Sequence, residues 1–245
     1  MFKSELMSDA IVIIPTYNEI ENVESIIRAV LSQPKEFHVL IVDDNSPDKT
    51  ADAVTRLQLE FEDQLFLLQR KEKSGLGTAY IAGFEWALKK TYQYVFEMDP
   101  DFSHNPDDLY RLYKACVAGA DMAVGSRYVK GITVVNWPMS RILLSYGASR
   151  YVRLITRMKV KDSTAGFICY KRTVLEAINL KKIEFVGYAF QIEMKFKAHK
   201  KGFKIVEIPV IFKDRTKGKS KMSGGIITEA IFGVVSLKLK SLFAK

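Results

Sequence analysis

The strongest constraint on this chain is an alternation that runs through its first half. Five short apolar runs, at 10–14, 37–42, 65–69, 94–98 and 121–125, are separated by segments with apolar residues at helical spacing. Runs this short suit buried strands, and the segments between them suit helices that cover a sheet. The expected order is β-α-β-α-β-α-β-α-β, an α/β fold with a mostly parallel sheet, helices on both faces and right-handed crossovers. Helices are expected at 20–31, 49–61, 78–90 and 106–118, with Asn18 as the N-cap of the first and Glu21 completing a capping box. Polar residues follow the strand ends: Tyr17 and Glu19, Asp43 and Asp44, Asp99 and Asp101, then Arg127. In such a sheet these ends share one edge, where ligands bind.

The stretch Asp99-Pro100-Asp101-Phe102-Ser103 stands out on that edge. Two carboxylates and a hydroxyl are hard oxygen ligands for Mg²⁺ or Mn²⁺, and a metal held so sparingly shares its other positions with substrate phosphates. Asp-x-Asp is also an ordinary turn after a strand, and spacing alone leaves both readings open.

The chain has 245 residues, 48% of them hydrophobic, enough for one large domain or a domain with an appendage. Its formal net charge is +9, which points to an anionic partner: nucleic acid, anionic lipid or a phosphorylated substrate. A merely soluble basic surface would give the same charge. No secretory signal is expected at the N-terminus, and no window reaches the roughly 18 to 20 apolar residues of a spanning helix. Cys116 and Cys169 lie far apart without metal spacing and read as free thiols in a reducing cytoplasm. His38, His104 and His199 form no ligand pattern.

The second half is less regular. A helix is expected at 139–155 after Trp137-Pro138, an interrupted strand at 160–170, a helix at 191–201 and a strand at 203–212. From 213 to 221 five basic residues face one acid, Asp214. Residues 226–243 read as an amphipathic helix, with Ile227, Ala230, Ile231, Val234, Val235 and Leu242 at helical spacing. Glu229, Lys238 and Lys240 interrupt it, which suits a helix lying in a membrane interface. Packing on the catalytic domain as ordinary core is the other reading. The division expected is a catalytic domain over 1–212 and a basic loop plus helix over 213–245.

These motifs together resemble the family 2 glycosyltransferases, and within them the polyprenyl-phosphate (dolichol-phosphate) mannose synthase branch. The resemblance is carried by Pro-Thr-Tyr-Asn-Glu at 15–19, Val-Asp-Asp-Asn-Ser-Pro-Asp at 42–48, Gly-Leu-Gly-Thr-Ala at 75–79 and Asp-Pro-Asp-Phe-Ser-His at 99–104. It continues with Gly-Ser-Arg-Tyr-Val-Lys-Gly at 125–131, Asn-Trp-Pro at 136–138, Asp-Ser-Thr-Ala-Gly-Phe at 162–167 and Asp-Arg-Thr-Lys-Gly-Lys-Ser-Lys at 214–221. The first four mark the family; Asn-Trp-Pro and the basic ending mark the branch. Two positions depart from the familiar pattern without removing a ligand: Pro100, where alanine is usual, and Lys49, where glycine is common.

The resemblance implies a GT-A fold, a nucleotide-sugar donor, a divalent metal (Mg²⁺ or Mn²⁺) and a lipid-phosphate acceptor. It assigns Pro15, Tyr17, Glu19, Val42 and Asp44 to the nucleotide, and Asp99, Pro100 and Asp101, with Ser103, to the metal and the donor's diphosphate. Arg127, Arg141 and Ser145 fall to the acceptor phosphate; Arg141 and Ser145, four apart, share a helix face. Arg215 and Lys221 would place cations on the diphosphate, whereas Lys213, Lys217 and Lys219 read as solvated. Asp162 and Thr164 would shape the sugar or acceptor end, and Gly75 and Gly77 a tight loop near the nucleotide.

The reaction implied is mannose transfer from GDP-mannose to a polyprenyl (dolichyl) phosphate with inversion. The nucleophile, a phosphate oxygen, is already ionised near neutral pH because the second phosphate pKa is about 6. UDP-glucose or UDP-GlcNAc are alternative donors. A non-catalytic basic nucleotide- or nucleic-acid-binding protein is a remote alternative, without the interleaved aromatics on a basic strand face that nucleic acid would want. A bilayer-borne acceptor implies peripheral attachment at the cytoplasmic membrane face, through the last helix or a membrane-anchoring partner protein.

Overall fold

The structure is a computed structural model that describes residues 8–187, 189–215 and 225–243, the last helix by its backbone alone at 225–231 and 242–243. The first half follows the expected alternation: β1 (Ala10–Thr16), α1 (Val23–Leu31), β2 (His38–Asp43), α2 (Thr50–Gln58), β3 (Leu65–Gln69), α3 (Leu76–Leu88) and β4 (Tyr94–Glu97). A 3₁₀ turn at Pro106–Asp108 leads into α4 (Leu109–Val117), then β5 (Met122–Ser126). Next come β6 (Val134–Val135), α5 (Met139–Thr156), β7 (Ile168–Lys171), α6 (Arg172–Ala177), α7 (Ala189–Lys200), β8 (Ile205–Pro209), β9 (Phe212–Lys213) and α8 (Gly225–Phe243).

The main sheet runs β3-β2-β1-β4-β7-β5-β8, and β6 pairs with β9 apart from it. Every pairing in the main sheet is parallel except those of β7, which lies antiparallel between β4 and β5. Strand alternation divides the core. Val12, Ile14, Val39 and Ile41 face one cluster with α1, α2 and α4; Ile11, Ile13, Leu40 and Val42 face another with α3, α6 and α7. Close packing under α3 requires Gly83, where a Cβ would come within 2.6 Å of Ile13.

Chain order reverses at β1, which has β2 on one side and β4 on the other. The crevice beyond the carboxyl ends of β1 and β4 is therefore the topological switch point of the sheet. The loops carrying Tyr17 and Asp99 flank it.

Two local expectations are corrected. Asn18 is no N-cap: its φ is 55°, and α1 starts later, at Val23, with no side-chain cap. Its backbone N–H instead donates to Ser46 Oγ at 3.0 Å, so Asn18 ties the two loops together rather than capping a helix. The strand expected over 160–170 shortens to β7; the backbone N–H groups of Lys161 and Asp162 are taken by the Glu207 carboxylate on β8, which turns that segment out of the sheet. Of the two readings of the last helix, core packing is seen for part of α8: its Val234 and Leu237 pack with Val152, Ile192 and Phe196, so one face of this helix belongs to the domain.

Lys49 occupies a left-handed position, φ 68° and ψ 24°, just before α2. A β-carbon there costs roughly 1 kcal/mol, which explains why glycine suits this turn. Lys49→Gly should leave the fold intact and raise its stability by up to about 1 kcal/mol, read as a higher urea midpoint at unchanged slope.

Candidate active site

The crevice is built by two loops sewn together. Asp43 accepts from Thr16 Oγ1 at 2.8 Å, from Ser46 Oγ at 2.6 Å and from Ser46 N at 2.9 Å. Asp48 accepts from Ile20 N at 3.1 Å, and Thr50 Oγ1 accepts from Glu19 N at 3.1 Å. Much of the motif at 42–48 thus shapes the loops. The Asp44 carboxylate pairs instead with Arg70 at 3.2 Å, and burial raises its pKa against that pull. Tyr17 carries the Lys73 ammonium 4.3 Å from its ring centroid, and Glu19 accepts from Asn22 Nδ2 at 2.9 Å. Tyr17, Glu19 and Asp44 thus stand on the joined loops that follow β1 and β2.

Val42 lies at the core side of this segment. Its side chain is fully buried beneath α3. Pro15, paired with Val42 in the sheet, is buried too and sets the loop's path rather than offering a polar contact. The glycines at 75 and 77 serve packing: Gly75 has φ 104°, and a Cβ on either would meet Val186 or Phe190 at 2.9 Å.

At the end of β4, Asp99 and Asp101 face the same cavity. Burial, then the neighbouring Asp101 charge, pushes the Asp99 carboxyl up to about 7. Tyr80 Oη gives Asp99 only a long hydrogen bond of 3.4 Å. Asp101 accepts from Ser103 N at 3.0 Å and pairs with Arg215 at 2.8 Å. His104 holds the loop by accepting the Asp99 N–H on Nδ1 at 3.1 Å while its ring stacks on Phe167 at 4.9 Å; burial lowers its pKa to about 4, so it stays neutral. Among the described residues no cluster of three acidic, His or Cys side chains forms. Two carboxylates whose mutual repulsion is only partly met by one guanidinium fit a divalent cation that draws its remaining ligands from a substrate.

The sequence places Arg127, Arg141 and Ser145 together, and the structure brings all three to this cavity of about 490 Å³. Their roles differ. Arg127 is buried and largely spoken for: Nε and Nη2 donate to Asp162 at 2.7 and 2.6 Å, and Nη2 also reaches Thr164 Oγ1 at 2.8 Å. Burial alone would raise the Asp162 pKa, but the Arg127 charge and its hydrogen bonds outweigh this and hold it below the usual carboxylate range. Arg141 stacks on Trp137 at 4.0 Å and donates to Asp214 at 3.0 Å. Ser145 Oγ accepts from Tyr128 Oη at 2.8 Å. Lys221 lies outside the described residues.

Several contributors escaped the sequence reading. His104, Trp137 and Asp214 sat inside motifs whose neighbours drew the attention. Lys195, buried on α7, pins the Asp162–Phe167 turn by donating to Ala165 O at 2.6 Å; no sequence signal distinguishes it from a surface lysine.

A mostly parallel sheet with two carboxylates at its switch point and cations across a cavity is the GT-A architecture of nucleotide-sugar glycosyltransferases. The chain belongs to the family described as Glycosyl transferase family 2, which matches residues 11–178, and it is a glycosyltransferase. It is 47% identical over 224 residues to polyprenol monophosphomannose synthase of Mycolicibacterium smegmatis, covering 91% of this chain and 84% of that one. It is 45% identical to undecaprenyl-phosphate mannosyltransferase of Micrococcus luteus, covering 91% and 90%. With dolichol-phosphate mannosyltransferase of Pyrococcus furiosus the identity is 36%, over 89% of this chain and 60% of that longer one. Glucosyl-3-phosphoglycerate synthase from Mycobacterium tuberculosis, in complex with Mn²⁺, UDP-glucose and phosphoglyceric acid, shares the fold with a TM-score of 0.71 at 14% identity, over 94% of this chain and 79% of that one.

Proposed function

We propose that this chain transfers mannose from GDP-mannose to the phosphate of a polyprenyl (dolichyl) lipid, with inversion at the anomeric carbon. One observation carries the reading. A single cavity is lined by the Asp99 and Asp101 carboxylates, by Arg127 and Arg141, and by the apolar Leu143, Leu144, Ala148 and Ile192. A nucleotide diphosphate, a phosphate monoester and an isoprenoid chain would each find matching groups there. The names of the three relatives favour mannose and a lipid phosphate.

Asp99 and Asp101, with the Ser103 hydroxyl beside them, would hold Mg²⁺ or Mn²⁺. The bound cation supplies Lewis-acid neutralisation of the departing diphosphate. The protein's own work is positioning. Arg141 and the Ser145 hydroxyl seat the acceptor phosphate; Arg127, fixed by Asp162, contributes a preorganised positive field beside it without having to reorient. Arg215, now on Asp101, is within reach of the diphosphate. The acceptor oxygen needs no general base, since it is already ionised.

Transfer to a polyprenyl phosphate should be measured from radiolabelled GDP-mannose, UDP-glucose and UDP-GlcNAc. GDP-mannose is expected to dominate; faster transfer from either UDP-sugar would overturn the donor. Arg141→Ala removes a charge-assisted contact worth about 1.5 to 3 kcal/mol, so the acceptor KM should rise roughly 10- to 100-fold with donor affinity unchanged. Loss of donor affinity instead would exchange the two subsites.

No helix among the described residues is long and apolar enough to cross a membrane. The cavity's apolar wall continues onto an outward stripe of α5, where Met139 and Leu143 are 67% and 64% exposed and Leu154 is 80% exposed, beside the exposed Arg150 and Arg153. Such a face suits peripheral docking on an anionic leaflet. Because α8 fills core, truncating it would confound the test, and substitutions on α5 are cleaner. Met139→Glu/Leu154→Glu should lower sedimentation with phosphatidylglycerol-containing vesicles by about tenfold at unchanged melting temperature. Unchanged sedimentation would move attachment to α8 or to a partner protein.

A further inference from the structure

Four charged groups form a ladder across the cavity. Arg141 Nη1 lies 3.0 Å from Asp214 Oδ1; the same oxygen accepts the backbone N–H of Arg215 at 3.1 Å; and Arg215 Nη2 lies 2.8 Å from Asp101 Oδ2. The ladder joins the cation read above as the acceptor's phosphate seat to a carboxylate at the donor end. Backbone bonds fix its middle: Asp214 N donates to Val135 O at 3.0 Å and Phe212 N to Thr133 O at 2.9 Å, which holds the 212–215 strand to β6. Asp214 therefore sits where it can stand in for a phosphate on Arg141.

We infer that Asp214 is a positioning residue that sets the order of binding: it occupies Arg141 until a nucleoside diphosphate draws Arg215 away. This rests on the acceptor-phosphate reading of Arg141. A diphosphate carries more charge than the single Asp101 carboxylate and attracts the Arg215 guanidinium more strongly. Turning the residue at 215 toward it breaks the Arg215 N–H bond to Asp214 Oδ1. Asp214 is then held to Arg141 by the ion pair alone, and a dianionic phosphate monoester displaces a monoanionic carboxylate from a guanidinium at less cost. Donor binding thus tightens acceptor binding, and by linkage the acceptor tightens the donor by the same factor.

The test is calorimetric binding of farnesyl phosphate to the full chain, without nucleotide and with saturating GDP or, in parallel, UDP, each with MgCl₂. In the wild type the more tightly held nucleotide should raise farnesyl phosphate affinity by about fivefold or more, within the usual range of coupling between sites. In Asp214→Asn, the nucleotide-free affinity should rise by about fivefold and the nucleotide effect fall below about twofold, the two moving together as one broken link. Asp214→Glu, which keeps the carboxylate, should restore part of the coupling. If Asp214→Asn binds farnesyl phosphate no better without nucleotide, or keeps the wild-type coupling, Asp214 only braces Arg141 and the inference is overturned; an absent nucleotide effect in the wild type overturns it as well. The underlying reading fails differently: Arg141→Ala would then bind farnesyl phosphate as the wild type does.

Discussion

Asp99→Asn and Asp101→Asn should each lower glycosyl transfer by about two to three orders of magnitude, the scale of removing one preorganised charge contact at a reacting centre. The fold should survive either change. Asp99 is pushed up to about 7 by burial and by Asp101, so a neutral amide at either site relieves repulsion in the free protein. The two variants are not equivalent, because among the described residues Asp101 pairs directly with the Arg215 guanidinium at 2.8 Å, whereas Asp99 has only the neutral His104 ring 4.0 Å away and a long hydrogen bond from Tyr80. Asp99→Asn should therefore melt at or above the wild-type temperature, while Asp101→Asn gains less. Excess chelator should reproduce the loss of activity in the wild type. Wild-type turnover by either variant, or full activity in chelator with no retained metal, would remove the carboxylate pair from the reaction.

Asp162 should give the largest effect on stability. It is wholly buried and accepts from Arg127 three times: from the backbone N at 2.9 Å, from Nε at 2.7 Å and from Nη2 at 2.6 Å. Asp162→Ala strands a buried guanidinium, a defect that costs about 3 to 5 kcal/mol. For a domain of this size that lowers the melting temperature by roughly 10 °C. The double variant Arg127→Met/Asp162→Ala should recover much of this stability without recovering transfer. The pH dependence has a definite sign. The folded Asp162 pKa is held below the unfolded value, so its contribution is fully present above the ordinary carboxylate pKa and is lost as pH falls through the lower folded one. Acid unfolding should be shallower in the double variant than in the wild type. Additive losses in the two single variants would show that the pair does not act as a unit.

How much of this was legible differs between the halves of the chain. The strand expected at 10–14 is found as β1, buried along its whole length, because parallel strands buried on both faces write themselves as apolar runs. The switch-point crevice followed from the same pattern. The antiparallel insertion of β7 did not, since Ile168–Lys171 is as short and apolar as a parallel strand and nothing local records the partner's direction. Within the site, motifs located the residues but not their bonds. Val42 and Asp44 stand two apart, yet one fills the core and the other pairs with Arg70. Arg127 and Arg141 look alike as cations, yet one is locked into a buried pair and the other rests on an indole ring and an exchangeable carboxylate. Lys195 was invisible because burial of a lysine depends on tertiary neighbours, here the Ala165 carbonyl.

The position of β7 also bears on how the chain is made. The strands β3-β2-β1-β4 and the pair β5-β8 share no backbone hydrogen bonds with each other; β7 alone bridges them. A nascent chain that has emerged only as far as α5 therefore carries β4 with one side unpaired and β5 with neither of its partners, both of them apolar strands. Such edges are templates for pairing with other chains. They close only when residues 168–171 arrive, and β8 follows some 35 residues later. Stalled synthesis or proteolysis in the α5–β7 connection would leave a fragment that retains much of the nucleotide half yet is prone to edge-to-edge association, whereas a fragment ending beyond β7 would have the β4 edge sealed.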